Sequence, residues 1–150
     1  MTEDGPAVIG WIETVDLPDL GLRDLKAKID TGARTSALHA HDIRRFRRGD
    51  ASWVAFRADT GHGLSDDPIE ARLIGRRAIK NTSGVPETRL IVRTRLRLGD
   101  RLWRIDLSLS DRTNMTFPII VGRAALKRHD IAVHTRRAYV ATPNPERTAP

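Results

Sequence analysis

The chain has 150 residues, of which 39% are apolar, and this size suits one domain with its own hydrophobic core. The absence of cysteine excludes disulfide bonds and thiolate zinc sites and permits a reducing cytoplasm, where we expect the protein to be located. Lysine and arginine total 26 against 19 acidic residues, so the net charge of +7 predicts attraction to nucleic acid, acidic peptides or anionic membrane surfaces. The alternative is a basic protein whose arginines form only a solvated face.

Apolar runs are short throughout the sequence. None approaches the roughly 20 residues of a membrane-spanning helix, so no membrane partner is expected. The acidic start of the chain lacks the basic and then apolar pattern of a secretory signal. We expect residues 1–7 to be a flexible N-terminus, residues 8–141 to form the domain, and residues 142–150 to be a flexible C-terminal tail.

The first part of the chain predicts strands separated by tight turns. Residues 8–17 form a predicted strand, and residues 17–21 a turn, because proline and glycine bracket an aspartate there. Residues 25–29 alternate between apolar side chains and lysine, which predicts a second strand. This strand runs into Asp30-Thr31-Gly32, where glycine lets the backbone turn sharply and approach a ligand. Small residues dominate the following stretch, 33–40.

Residues 44–50 form a basic run that contains one aromatic residue, Phe46. The run could contact phosphates while Phe46 stacks on a base. The more common arrangement is an exposed loop with one residue packed into the core. Nucleic acid is therefore a candidate partner but not the favoured one.

A second Asp-Thr-Gly motif begins at Asp59, after a predicted strand at 53–58. Two-lobed acid peptidases carry one such motif in each lobe, and a lobe needs roughly 100 residues or more. The two aspartates are only 29 residues apart, and the two glycines and one proline of 61–68 are typical of a loop. We therefore predict that Asp59 lies in a loop and is not catalytic.

The second half of the chain predicts a strand at 70–79, a polar connection at 80–86 and a long hairpin. The first hairpin strand has an apolar face, Leu90, Val92, Leu96 and Leu98, and a basic face, Arg89, Arg93, Arg95 and Arg97. Gly99-Asp100 predicts a type II′ turn, and the return strand has its apolar face at Trp103, Ile105, Leu107 and Leu109. The apolar run 117–122 predicts a buried strand, 123–129 a short helix, and 131–133 and 137–141 two final strands. Together these elements predict an all-β domain, closed or nearly closed, with one short helix.

Two of the apolar strands each end at a glycine, one at Asp30-Thr31-Gly32 and the other at Gly122-Arg123. Further motifs are Ile9-Gly10-Trp11, the stretches 17–21 and 26–40, Ser83-Gly84 with Glu87 and Arg89, and Asp111-Arg112 with Met115 and Phe117-Pro118. Over residues 8–141 these motifs resemble the bacterial RimK-associated retropepsin-like family, also labelled ATP-dependent zinc proteases. The resemblance implies a retropepsin-like (acid protease) closed barrel with one short C-terminal helix, assembled as a two-fold homodimer.

Aspartic peptidase chemistry needs two carboxylates, because one cannot both activate a water and protonate the substrate carbonyl. The chain offers one credible catalytic aspartate, Asp30, so we expect Asp30 of two chains to face each other across a two-fold axis. The resemblance implies that Thr31 braces this pair and that Gly32 leaves room for the peptide. The alternative is that Asp30 is a structural turn residue or the relic of a lost activity.

The resemblance also places substrate contacts around this loop and in a flap at residues 80–84. The expected substrate-binding residues are Arg34, Thr35, Ser36, His39, Lys80, Asn81, Ser83, Gly84, Gly122 and Arg123. Viral retropepsins carry an acid at the position of Arg34, which pairs with the arginine of the Gly-Arg step. Here Arg34 and Arg123 would repel each other, and the candidate counter-ions are Asp111, Glu87 or the substrate. An arginine beside Asp30 favours an acidic peptide.

The family is associated with an enzyme that adds glutamates to the C-terminus of a ribosomal protein, which implies trimming of that oligoglutamate tail. Two other interpretations stay open: a non-catalytic module that binds acidic peptide or ribosomal RNA, and a zinc hydrolase that uses His39 and a carboxylate. His39 and His41 would point the same way on a strand, but the sequence shows no firm third ligand. We therefore predict no metal and no cofactor.

Overall fold

The computed structural model describes residues 5–80, 84–111 and 115–146. These residues form ten strands: β1 (Ala7–Gly10), β2 (Ile12–Leu17), β3 (Leu22–Asp30), β4 (Ser36–Arg48), β5 (Ala51–Ala58), β6 (Ile69–Lys80), β7 (Pro86–Leu98), β8 (Arg101–Ser110), β9 (Ile119–Gly122) and β10 (Ile131–His134). Two 3-10 helices, Pro18–Leu20 and Arg123–Ala125, are the only helices in this part of the chain. The predicted all-β class is therefore confirmed.

Eight strands form one sheet in the order β2-β3-β9-β4-β5-β6-β7-β8. Further pairings of β2 with β7 and of β4 with β8 make the sheet return on itself, and β1 pairs in parallel with β10 in a second, two-stranded sheet. The apolar faces of the strands meet in one core, whose largest fully buried side chains include Phe56, Leu25, Leu38 and Leu107. No helix of the described residues is long and apolar enough to cross a membrane.

The β7–β8 hairpin has the predicted turn and, in its outer half, the predicted faces. Gly99 has a φ of +64°, a left-handed conformation that glycine adopts without steric cost. Leu96, Leu98 and Trp103 are buried, as the alternation predicts. The prediction for Arg89 is wrong: its side chain is only 8% exposed and lies 3.5 Å from the Glu87 carboxylate. The β6–β7 register shifts opposite 91–92, and the buried positions of β7 change phase at the same point.

The basic run after residue 43 is not a loop, because β4 continues to Arg48 and pairs with β5 before a turn at 49–50. Phe46 is not packed into the core but stacks against Trp53, with ring centroids 6.4 Å apart. The Arg48 guanidinium lies 5.4 Å from the Phe46 ring centroid and 4.5 Å from that of Trp53. In this arrangement Arg48 would compete with a stacking base for the faces of both rings.

Three other sequence predictions need correction. The predicted strand at 8–17 is divided at Trp11, whose N–H donates to the Arg137 carbonyl and whose carbonyl accepts from Ile29. The predicted helix at 123–129 is a 3-10 turn over Arg123–Ala125 followed by turns. Residues 137–141 are not a strand, because their backbone groups bond to 11–13 without forming a ladder.

A buried carboxylate, Glu13, joins the two ends of the domain. Its side chain is fully buried and accepts five hydrogen bonds, from the N–H groups of Gly10, Val140, Ala141 and Thr142 and from the Thr142 hydroxyl. Because every oxygen faces donors, the carboxylate is satisfied without water. Backbone hydrogen bonding thus extends from Ala7 to Thr142, one residue beyond each expected domain boundary.

We expect Glu13→Gln to lower the free energy of unfolding by about 3 kcal/mol, because an amide N–H₂ would face donors and leave buried groups unpaired. Urea denaturation measures this change. The matched control is Glu70→Gln, which removes one exposed ion pair to Arg48 and should cost less than about 1 kcal/mol. Equal losses in the two variants would contradict this role of Glu13.

Candidate active site and basic groove

Asp30 is positioned by the parallel pairing of β3 with β9, in which it lies opposite Gly122. Buried residues of β3, among them Ile29, fix the strand, while the Asp30 side chain remains 30% exposed. Asp30 Oδ1 accepts a hydrogen bond from the Gly32 N–H at 3.0 Å, and Oδ2 lies 3.9 Å from the Lys28 ammonium. A carboxylate held in this way and open to solvent can orient a water molecule.

Gly122 allows the backbone after β9 to lie directly against the loop that follows Asp30. A Cβ atom at this position would meet the carbonyl carbon of Thr35 at 2.8 Å and the Ala33 oxygen at 2.9 Å. Three successive N–H groups of this backbone donate to the loop: Gly122 to Ser36 Oγ at 3.0 Å, Arg123 to the Ala33 carbonyl at 2.8 Å, and Ala124 to the Arg34 carbonyl at 3.1 Å. The shape of the Asp30 loop therefore depends on residues 122–124.

The Arg123 side chain also binds the loop. Its guanidinium donates to the carbonyls of Thr31 and Gly32 at 3.4 and 3.3 Å. Arg34 is exposed and forms no ion pair with any residue that the structure describes. Glu87, one expected counter-ion of Arg34, instead lies beside Arg89. Arg123 thus uses backbone carbonyls, and the charge of Arg34 is left without a protein counter-ion in these residues.

The remaining expected substrate-binding residues lie in three places. Thr35 and Ser36 line a groove together with Arg34. His39 is buried further along β4. Lys80 ends β6 and Gly84 precedes β7, so both flank the tip of the β6–β7 hairpin, where the flap was predicted. Asn81 and Ser83 lie outside the described residues.

The groove has a volume of about 1100 Å³ and runs from the Asp30 loop across β7 and β8 to the turn after β9. Its charged lining comprises seven cations, Arg34, Arg77, Arg93, Arg95, Arg104, Lys127 and Arg128, and one acid, Asp106. We call this surface the basic groove. Its floor is fixed by Trp103, whose indole N–H donates to the Ala125 carbonyl at 2.8 Å.

Ion pairs hold some of these cations in place. Arg93 bonds to Asp106 at 2.8 Å, and Arg95 bonds to Asp19 at 2.6 Å. Each hydrogen-bonded carboxylate raises the pKa of its arginine, and the bond from Arg95 lowers the pKa of Asp19. Arg104, Lys127 and Arg128 have no ion pair within the described part of the chain. The groove therefore carries unpaired positive charge that an anionic ligand can neutralise.

In a second cluster, His39 and His41 lie beside Asp59; the sequence analysis paired the two histidines but missed Asp59 as the third member. One ligand atom from each side chain lies within 4.8 Å of the others, which is a spacing that could hold a metal ion. The missing signal was the β4–β5 register: Ala40 pairs with Ala58, which places His39 opposite Asp59. The second Asp-Thr-Gly motif does lie outside regular strands, joined to Leu64 by a single bridge.

The chain is similar to known proteins in sequence and in fold. A family model described as "RimB-like: Retropepsin-like aspartic endopeptidase RimB" matches residues 8–144. Two curated proteins named "Probable alpha-L-glutamate ligase", from Parasynechococcus marenigrum and Desulfotalea psychrophila, are 39% and 40% identical over 124 residues. These residues are 79% of this chain but only 26% of either relative, so the chain spans about a quarter of their length. A crystal structure of a Legionella pneumophila protein of unknown function has a TM-score of 0.75 at 26% identity, covering 91% of this chain and 98% of that chain.

We expect Gly122→Ala to displace the Asp30 loop and to lower the free energy of unfolding by about 3 kcal/mol, because the new Cβ atom would meet backbone that cannot rotate away. Gly75→Ala is the matched control, since a Cβ atom there would have no atom of the described residues within 4 Å. Thermal and urea denaturation of both variants measure the difference. A Gly122→Ala protein as stable as Gly75→Ala would contradict the close contact.

Proposed function

The chain belongs to the RimB-like family of retropepsin-like aspartic endopeptidases, and from this premise we propose that it is an aspartic-type peptidase that cleaves an acidic peptide as a homodimer. The observation that carries the proposal is the Asp30 carboxylate, which is open to solvent at the end of a buried strand and oriented by the Gly32 N–H. The preceding strand and the backbone of 122–124 hold this loop in place.

The homodimer follows from the chemistry of the dyad. Two carboxylates that share one proton have different roles. The ionised one accepts a proton from water, and the protonated one donates a proton to the substrate carbonyl. Asp59 of the same chain cannot supply the second carboxylate, because its Oδ2 faces His39 on β4. Thr31 and Gly32 are exposed around Asp30, which leaves that face open to the same loop of a second chain.

The basic groove supports an acidic substrate. It begins at Arg34, four residues after Asp30, and continues over Arg104, Lys127 and Arg128. A peptide held at Asp30 can extend into this groove, where consecutive carboxylates would meet consecutive cations. The relatives named glutamate ligases contain a region similar to this chain. We therefore propose an oligoglutamate tail, such as one on a ribosomal protein, as the substrate. The hairpin tip between Lys80 and Gly84 would close over it.

We expect Asp30→Asn to reduce hydrolysis of an oligoglutamate-tailed peptide by at least about 100-fold, because the shared proton is lost. Asp50→Asn, at the exposed turn between β4 and β5, is the matched control and should retain activity. Mass spectrometry of the products measures cleavage. Undiminished cleavage by Asp30→Asn would exclude the aspartic mechanism, and salt-sensitive binding without turnover by the wild type would favour the non-catalytic module.

Mixing wild-type and Asp30→Asn chains tests whether the two catalytic aspartates come from two different chains. If each active site needs Asp30 from two chains, equal mixing lowers the activity per wild-type chain to about half, since half of those chains pair with a variant. Activity per wild-type chain that is independent of the added variant would contradict a dyad formed across a dimer.

The groove generates a separate prediction. We expect the double variant Arg104→Glu/Lys127→Glu to raise KM for the oligoglutamate peptide by about tenfold with little change in kcat, because substrate attraction is lost while Asp30 is untouched. The control Arg45→Glu/Arg101→Glu changes the net charge equally at exposed positions outside the groove. Equal effects of the two double variants would show that only net charge matters.

A further inference from the structure

The Asp59 loop brings a carboxylate against two histidines on the neighbouring strand. The Asp59 N–H donates to the His39 carbonyl at 2.9 Å, in line with the pairing of Ala40 with Ala58. His39 and His41 are two positions apart on β4, so they project from the same face. Their rings lie 4.6 Å apart between centroids and are tilted by 51°. Three side chains that commonly bind metals therefore converge from β4 and from the loop after β5.

The distances in this cluster are somewhat longer than those between the ligands of a bound metal ion. His39 Nδ1 lies 3.5 Å from Asp59 Oδ2, and one ligand atom from each of the three residues lies within 4.8 Å of the other two. Ligands bound tetrahedrally at about 2.0–2.1 Å are separated from each other by about 3.3 Å. The His39–Asp59 separation is thus too long for a strong hydrogen bond but close to a ligand-to-ligand spacing.

The described residues give His39 no strong hydrogen bond at either ring nitrogen. The residue is only 5% exposed, yet its Nε2 atom has no hydrogen-bond partner in the described part of the chain. For Nδ1 the closest carboxylate contact is the one at 3.5 Å. The contact at Nδ1 is too long for a strong hydrogen bond, so this nitrogen, on the Asp59 side of the ring, can bind a metal ion.

The loop that follows Asp59 orients its carboxylate. Its Oδ1 atom accepts the Gly61 N–H at 2.9 Å, which leaves Oδ2 directed at His39. Thr60 closes the loop by donating its N–H and its hydroxyl to the Gly63 carbonyl at 3.0 and 2.9 Å. Gly61 and Gly63 have φ values of +89° and +118°, which other residues adopt only with strain. The Asp59 carboxylate is therefore preorganised by the residues that follow it in the sequence.

We propose that His39, His41 and Asp59 bind one divalent transition-metal ion, with water at a further position. Two imidazoles and one carboxylate are a donor set that suits Zn²⁺ and its first-row neighbours. Mg²⁺ and Ca²⁺ are disfavoured because they prefer all-oxygen coordination. The ion would take the place of the long contact between His39 Nδ1 and Asp59 Oδ2.

This site is separate from the peptidase chemistry. The His39 N–H donates to the Pro118 carbonyl, whereas Asp30 pairs with Gly122, four residues further along the same segment. At the rise of an extended strand, Pro118 and Gly122 are about 13 Å apart, so the backbones of His39 and Asp30 are well separated. The ion would join β4 to the loop after β5, a structural role that does not depend on the proposed hydrolysis.

The experiment is a metal titration of the full chain after treatment with a chelator. Calorimetry measures the binding of Zn²⁺, and visible spectroscopy measures the binding of Co²⁺. We expect one ion per chain, a rise in melting temperature on Zn²⁺ addition, and the d–d absorption of low-symmetry Co²⁺. His41→Ala and Asp59→Ala should each weaken Zn²⁺ binding by more than about tenfold, because each removes one ligand. His41 is partly exposed, so its truncation should leave the fold intact.

Matched controls make the assignment specific. His62→Ala removes an exposed histidine three residues after Asp59 and should bind Zn²⁺ as the wild type does, as should Asp30→Asn. Mg²⁺ should produce no stabilisation. The proposal is overturned if the wild type binds no more Zn²⁺ than His41→Ala does, or if His62→Ala loses binding to the same extent. Circular dichroism of each variant verifies that the fold is retained.

Discussion

The candidate active site depends on the absence of a side chain at Gly122. Only because of this absence can the end of β9 lie against the backbone of 33–35, where a Cβ atom would come within 2.8 Å of a carbonyl carbon. The contact aligns Asp30 with Gly122 and directs three successive N–H groups into the loop. The position of the Asp30 carboxylate is therefore set by a segment about 90 residues away, and the site forms only when β3, β4 and β9 have assembled.

The contact also explains how two arginines are accommodated in one loop. Arg123 does not need an acid at position 34, because its guanidinium is bound by the carbonyls of Thr31 and Gly32. Backbone carbonyls carry only partial charge, so this arrangement stabilises the loop without neutralising Arg34. The positive charge of Arg34 then adds to that of Arg104, Lys127 and Arg128 in the basic groove. Clustered like charges destabilise a folded chain, and a polyanionic ligand would relieve that repulsion.

Much of the fold was predictable because its signals are local in the sequence. The candidate site was less predictable because it depends on contacts between distant parts of the chain. The β7–β8 hairpin could be predicted directly from the sequence, because the alternation at Leu96 and Leu98 lies within a few residues of the turn at Gly99. Shifts in the register between strands leave no comparable pattern in the sequence. One shift, opposite residues 91–92, accompanies the burial of Arg89, and another, between His41 and Arg44, sets which residue lies opposite His39. The partners of Glu13 lie as many as 129 residues away, beyond any local pattern.

The two Asp-Thr-Gly motifs show how little three residues determine by themselves. In both, the aspartate Oδ1 accepts the N–H of the glycine two positions later, at 3.0 Å for Asp30 and 2.9 Å for Asp59. The difference lies in what faces the other oxygen. Asp30 is the last residue of a strand paired with β9, and among the described residues its Oδ2 has one ion-pair partner, the Lys28 ammonium at 3.9 Å, which leaves it available to the substrate or second aspartate that we propose. Asp59 follows a strand paired with β4, and its Oδ2 meets a buried histidine. The same local turn thus places a carboxylate in two different surroundings, and the neighbouring strand determines what its second oxygen faces.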